Sequence, residues 1–334
     1  MTGIMTKMSV ALMLAFATSS VYAAQNNAYH HEAEIGFLDS SDSSDGLLNL
    51  NYNYYFEPVN QTDVPYALAP FLNQYSTLSA RYAVTDNQDL YNIASEYVFD
   101  SKFFIGSDYT KMTTEGGLLN ASGDDQNSYG ANLGYYFTKQ SKLTLSYTWL
   151  SDDETKQFES EPLGNRYYSY EYKSDLIKLA YQHYLPFEST SGLMLNGFIL
   201  HSNDKNDSEY TIVEGQDDNI SSRITNSENS LTVLGINADW YITDSWSVGG
   251  LYTYFNSDHD VNNLNIITTP DTVVNDNDNY SNSNSANVYS VNTRYFWHFS
   301  DVFSAKFSLE HYFENSEYNS DSETNFGVAI NARF

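Results

Sequence analysis

The sequence predicts an all-β chain, an antiparallel up-and-down β-barrel of about fourteen strands (sixteen as the alternative) whose last strand ends in Phe. Three observations predict it. Segments alternating at period two recur along the chain, the signature of strands with two different faces. The connections between them sort by length, long at one end and short at the other. The composition is that of strands and polar turns: 30 Tyr and 19 Phe against only 6 Pro.

The N-terminus reads as a secretory leader. Lys7 is the only charge before Glu32, an apolar run follows from Met8 to Ala17, and Val21-Tyr22-Ala23 is a small-x-small cleavage pattern. Residues 1–23 are therefore expected to be a signal peptide and 24–334 the barrel with long acidic outer loops. The apolar run is too short to cross about 30 Å of hydrocarbon as a helix.

Predicted strands follow at 31–38, 47–56, 75–84, 90–99, 103–112, 128–137, 143–150, 173–184, 193–202, 230–241, 246–256, 286–298, 303–313 and 324–334. The second places Leu48, Leu50, Tyr52 and Tyr54 against Asn49, Asn51 and Asn53. The twelfth places Tyr289, Val291, Tyr295 and Trp297 against Ser290, Asn292 and Arg294. The last places Phe326, Val328, Ile330, Ala332 and Phe334 on one face and Gly327, Ala329, Asn331 and Arg333 on the other. About ten residues is the length a tilted strand needs to cross a bilayer. An apolar face on every strand needs a covering layer, and in a membrane barrel lipid supplies it while the small or polar face lines a lumen.

If odd strands run outward, the connections 113–127, 151–172, 203–229 and 257–285 fall at the outer end as long, polar loops, and all but one of the inner turns are short. That asymmetry belongs to outer-membrane barrels. Trp240, Trp246 and Trp297 fall at inner strand ends and Trp149 at an outer one, the levels of aromatic girdles.

The exception is the first inner turn, 57–74, which carries three prolines and the apolar residues Tyr66, Leu68, Phe71 and Leu72. It is expected to pack on the inner rim or to plug part of the mouth. With the preceding Tyr54-Tyr55-Phe56 and the alternating strand after it, this stretch resembles general porins of marine gamma-proteobacteria. The terminal Phe334 and its apolar face resemble the signal read by the barrel-assembly machinery. The resemblance implies an outer membrane barrel in contact with lipid and lipopolysaccharide, and a homotrimer whose third loop folds into the pore. Here Glu115, Asp124 and Asp125 would supply the acidic side of that constriction; the alternative is an ordinary surface loop.

Net charge is −28, which excludes nucleic-acid binding, and the absence of Cys excludes thiolate metal sites and a cysteine nucleophile. By parity, the ionisable residues facing the lumen are Arg81, Glu96, Asp108, Lys178, Asp239, Arg294, Lys306 and Glu310. Opposed basic and acidic walls would orient polar solutes; the alternative is a set of ion pairs that fill a narrow barrel. Asp276 and Asp278 in the run 275–279 have the spacing of a calcium loop but lack its glycine and terminal Glu, so a solvated exterior is expected and no metal. His201 near Asp204, and His259 between Asp258 and Asp260, carry no flanking nucleophile motif. The expectation is a non-enzymatic, cofactor-free channel for passive diffusion of small hydrophilic solutes, mildly cation-preferring. The alternatives are a closed structural or surface-interaction barrel and, third, an outer-membrane hydrolase.

Overall fold

The computed structural model describes residues 28–41, 46–114, 124–160, 164–214, 219–269, 271–316 and 320–334. The leader reading for residues 1–23 and the candidate Glu115 lie outside these. Fourteen strands run in chain order: β1 Ala28–Ser40, β2 Leu47–Asn60, β3 Thr77–Val84, β4 Gln88–Val98, β5 Phe103–Thr114, β6 Asp124–Thr138 and β7 Ser141–Ser160. They continue as β8 Gly164–Leu185, β9 Gly192–Glu214, β10 Asn219–Thr243, β11 Trp246–Thr269, β12 Thr272–His298, β13 Phe303–Ser316 and β14 Ser320–Arg333. Each pairs antiparallel with its neighbours in sequence, and β1 pairs with β14, so the sheet closes with no edge through the barrel. Closure satisfies every ladder group within the chain, a requirement of any sheet that crosses hydrocarbon.

The outward face is apolar and uncovered. Ile93, Ile105, Leu133, Ile236 and Val291 are each more than half exposed in mid-strand. Water would penalise such a continuous belt, so its natural solvent is lipid. Aromatic rings fence both margins. Tyr129 sits 5.3 Å from Tyr109 and 5.6 Å from Trp149 at the outer margin, and Phe103 meets Tyr135 at 4.6 Å at the inner one. On β12 the path from Tyr289 to Trp297 is about 27 Å at about 3.4 Å per residue, comparable to the apolar band of membrane barrels.

Three connections differ from the sequence expectation. The segments 151–172, 203–229 and 257–285 are not loops. β7 and β8 stay in register to Ser160 and Gly164, β9 and β10 to Glu214 and Asn219, and β11 and β12 to Thr269 and Thr272. β12 alone has 27 residues, about 90 Å of extended chain. The outer halves of β7 to β12 form a six-stranded sheet beyond the barrel, with rows such as Asp152, Tyr172, Asn206, Ser227, Val261 and Tyr280 on its lumen-side face. Sustained apolar alternation stops where lipid stops: these strand halves scatter residues such as Val261, Leu264 and Ile267 among Asp, Asn and Ser. Among the described residues, β7 beyond Leu150 and β12 before Ala286 pair on one side only. Charges including Asp152, Asp153, Asp276 and Asp278 stand along these edges, as they do on natural edges that must not aggregate.

At the inner end, the connection between β2 and β3 folds into the barrel mouth. It contains one short helix, α1 (Ala69–Asn73), with Pro70 in its first turn. Gln74 ends α1 in a left-handed conformation (φ 58°) and donates its backbone N–H to the Pro70 carbonyl. Ala69 packs with Tyr29, Tyr55 and Val59 on one side of the mouth, and Leu68 with Tyr184, Met194 and Tyr241 on the other. Burying these rings and aliphatic groups draws the segment across the opening rather than leaving it on the rim.

Candidate functional site: the lumen and its inner-end cavity

Strand pairing fixes which side chains share the lumen. Partners in register share a face, and Glu32 of β1 stands opposite Arg333 of β14, with Glu34 opposite Asn331. Glu32 and Arg333 are both buried, at 7% and 6% exposure. One Glu32 oxygen accepts from Arg333 Nε (3.1 Å) and Nη2 (3.0 Å) and from Asn331 Nδ2 (2.9 Å), and the other accepts from the Tyr55 hydroxyl (3.1 Å). A charge pair this deep holds together only when its remaining donors and acceptors are satisfied. The inner connection completes that set: Arg333 donates to Gln61 Oε1 (3.1 Å) and to the Tyr66 carbonyl (3.0 Å). Tyr66 also donates its N–H to the Asp244 carbonyl, and its ring lies 4.1 Å from that of His298. Gln74 Nε2 reaches the Thr138 carbonyl at 2.7 Å. The segment is thus tied to β14, to the β10–β11 turn and to the inner end of β6.

Beside it lies an open cavity of about 430 Å³, lined by residues of β1–β3 and β10–β14, with Ala67 of the connection among them. Three of the eight lumen residues read from the sequence, Arg81, Arg294 and Lys306, line this cavity together with Glu34 and Asp244. Lys306 is engaged by Glu34 and lies 3.7 Å from Glu32. Arg294 Nη1 reaches Asp239 Oδ1 at 3.5 Å, with the Arg294 side chain half exposed. Arg81 donates Nε to Asn49 Oδ1 at 2.8 Å.

The remaining members sit apart. Glu310 accepts from Ser290 (2.7 Å) on the adjoining wall. On the opposite arc, Glu96 pairs with Lys142 at 2.8 Å and Lys178 lies 5.0 Å from the Phe198 ring. Asp108 lies over Gly130, where any Cβ would overlap its carboxylate, and Asp239 lies in the same way over Gly249. Glycine at these two positions makes room for a carboxylate to lie along the wall. Sequence reasoning did not select Glu32, Glu34, Lys142 and Arg333. Parity put Arg333 on the small-residue face, and Lys142 falls one residue before the predicted strand.

The candidate constriction is corrected at Asp125. Asp125 is in β6, on the same face as Tyr129, and it pairs with Lys111 at 2.6 Å and accepts from Thr113 at 2.7 Å. That is the outward face, above the lipid belt, not the pore. Asp124 belongs to the same strand, opposite Thr114. The histidine pairs are also separated. His201 contacts Thr232 at 3.0 Å, whereas Asp204, three residues on along an extended strand, falls on the other face and accepts from Asn229 at 3.4 Å. His259 alternates with Asp258 and Asp260 in the same way. Asp276 and Asp278 stand on β12 opposite Asn265 and Asn263, on a strand rather than a loop that could wrap an ion.

No protein-family model matches the sequence, and no curated protein matches it significantly. Among solved structures, the outer membrane protein Omp33 of Acinetobacter baumannii aligns with a TM-score of 0.50 at 13% identity, over 93% of this chain and 100% of Omp33. The chain has the fold of an outer-membrane β-barrel. A loop L8 deletion mutant of OmpT, an outer membrane protein of Vibrio cholerae, aligns at a TM-score of 0.38 and 9% identity, over 91% of this chain and 97% of that one. The CymD monoaromatic hydrocarbon channel aligns at 0.34 and 10%, over 96% and 92%. At these identities the likeness concerns the barrel alone. Its lumen must be read from its own residues.

Proposed function

We propose that this protein is an outer-membrane porin: a passive diffusion channel for small hydrophilic solutes, mildly cation-preferring. What supports the reading is strand parity, by which Arg81, Glu96, Asp108, Lys178, Asp239, Arg294, Lys306 and Glu310 fall on the face opposite the bare apolar belt. Ionisable groups crossing a membrane belong on a wetted face, because the lipid face penalises them by about 2–4 kcal/mol near the midplane. The net charge of −28 enriches cations at the outer entrance, and the basic residues at the inner end oppose that preference. Phe334 and the outward residues Phe326, Val328, Ile330 and Ala332 serve as the assembly signal, so deleting Phe334 lowers the yield of heat-modifiable barrel in the outer membrane.

A second reading, a structural barrel with a closed lumen, is favoured by one observation: the β2–β3 connection spans the inner mouth and is tied to the far wall. Planar-bilayer recording of the purified protein separates the two. The porin reading expects discrete conductance steps, and well-folded protein that never conducts would retire it in favour of the closed barrel.

A further inference from the structure

We infer that the inner-end cavity is a binding site for small zwitterions bearing a carboxylate and an ammonium, with Arg81 and Arg294 taking the carboxylate and Asp244 the ammonium. The inference rests on the channel reading for how solute arrives, but not for whether it binds.

The argument starts from which charges are already committed. Of the three cations lining the cavity, Lys306 is neutralised by Glu34, itself also bonded to Asn331. Arg81 meets no carboxylate within 4.0 Å among the described residues, and its one side-chain partner is the amide of Asn49. Arg294 touches Asp239 through Nη1 alone, at a long 3.5 Å, and half its side chain remains exposed. The cavity is therefore lined by two guanidinium groups with donors to spare, held on β3 and β12, strands that are not neighbours. A guanidinium presents its donors as a planar fork that matches a carboxylate with two parallel bonds.

The acidic partner is at the floor. Asp244 lines the same cavity from the β10–β11 turn, and its backbone carbonyl is fixed by the Tyr66 N–H of the inner connection. No ion pair engages its carboxylate among the described residues. Between these poles the lining is small or apolar, including Gly36, Ala329, Tyr241 and Phe296, which suits a short carbon skeleton. At about 430 Å³ the space falls within the range of small-molecule sites, about 300–1,000 Å³.

Charge complementarity selects the zwitterion. A free anion approaching from the outer end meets the field of a chain carrying −28. A zwitterion carries no net charge, so it passes the acidic vestibule without that repulsion and finds both signs lining the cavity.

The test uses the full-length protein folded in detergent and equilibrium dialysis with radiolabelled L-leucine. L-Leucinamide, which lacks the carboxylate, and 4-methylpentanoate, which lacks the ammonium, are the near-isosteric competitors. Native protein should bind leucine saturably, and each competitor should displace it at least about tenfold less well than leucine itself. R81Q and R294Q should each weaken leucine binding, and the double variant should abolish it; D244N should weaken leucine binding while leaving that of 4-methylpentanoate unchanged. Heat-modifiable gel mobility establishes that each variant is folded, and the single variants stand in if the double one is not. Equal binding of leucine and leucinamide, or leucine binding that survives R81Q/R294Q, overturns the proposal, as does the absence of saturable binding to native protein. Leucine binding by a protein that never conducts would retire the channel reading and leave the site standing.

Discussion

Arg333 is the residue on which the inner end turns. It is second from the last in the chain, yet one guanidinium joins the first strand through Glu32, the inner connection through Gln61 and Tyr66, and the rings of Tyr29 and Phe296 at 4.9 and 5.1 Å. Its value lies in what its loss would expose. Arg333→Ala leaves Glu32 buried with only Lys306, 3.7 Å away and shared with Glu34, as counter-charge, and breaking one side of a buried pair costs about 3–5 kcal/mol. The expected outcome is a clear drop in the temperature at which folded protein converts to the unfolded gel band, with partial recovery in R333A/E32Q, where the stranded charge is also removed. R333K should fall between, because an ammonium keeps the charge but cannot hold Glu32, Gln61 and Tyr66 in one plane. An unchanged transition in R333A would mean that this network does not stabilise the barrel.

Among the elements, the outer halves of β7 to β12 depart furthest from loop behaviour. Their lumen-side face has its own packing: Val261 and Asn263 are buried, and Asn263 Oδ1 accepts from Thr225 (2.8 Å) and Arg223 (3.3 Å). Tyr170 and Tyr172 stack with parallel planes on the same face. These are ordered strands, so tolerance to insertion should be confined to the hairpin tips. A short epitope placed between Glu214 and Asn219, or between Thr269 and Thr272, should be labelled on intact cells with normal barrel yield. The same epitope placed after Asn263 should lower that yield, because a shift of one residue turns every following side chain to the opposite face. Equal yield from tip and mid-strand insertions would show that the outer halves behave as loops. Tags at both tips that stay hidden until the outer membrane is broken would reverse the inside–outside assignment.

For the whole molecule, the channel reading has the acidic exterior and the basic side chains of the inner end acting on the same solute in sequence. Replacing Arg294 and Lys306 together by Ala removes two of the three cations at the cavity and leaves Asp239, Glu34 and Glu32 less compensated. Cation preference, read as reversal potential across a salt gradient, should strengthen relative to native protein. The difference should shrink at about 1 M salt, where the screening length falls to about 3 Å. A reversal potential identical in native and double-variant channels would place these side chains off the conducting path.

What the sequence determined by itself is the barrel. Period-two alternation located all fourteen strands, because each crosses the same slab of lipid and writes the same pattern into its residues. Parity along each strand likewise put Arg81, Asp239, Arg294 and Lys306 on one face, since side chains alternate strictly in extended chain. Two things were decided only by tertiary structure. The outer strand halves intersperse apolar residues such as Ile224, Val261, Leu264 and Ile267 with Asp, Asn and Ser, with no sustained alternation, so only cross-strand pairing makes them strands. The meeting of Glu32 with Arg333, and of Arg81 with Arg294 across one cavity, depends on closing β1 onto β14 and folding the β2–β3 connection beneath them. Residues hundreds of positions apart become neighbours through ring closure, and local alternation holds no record of that distance.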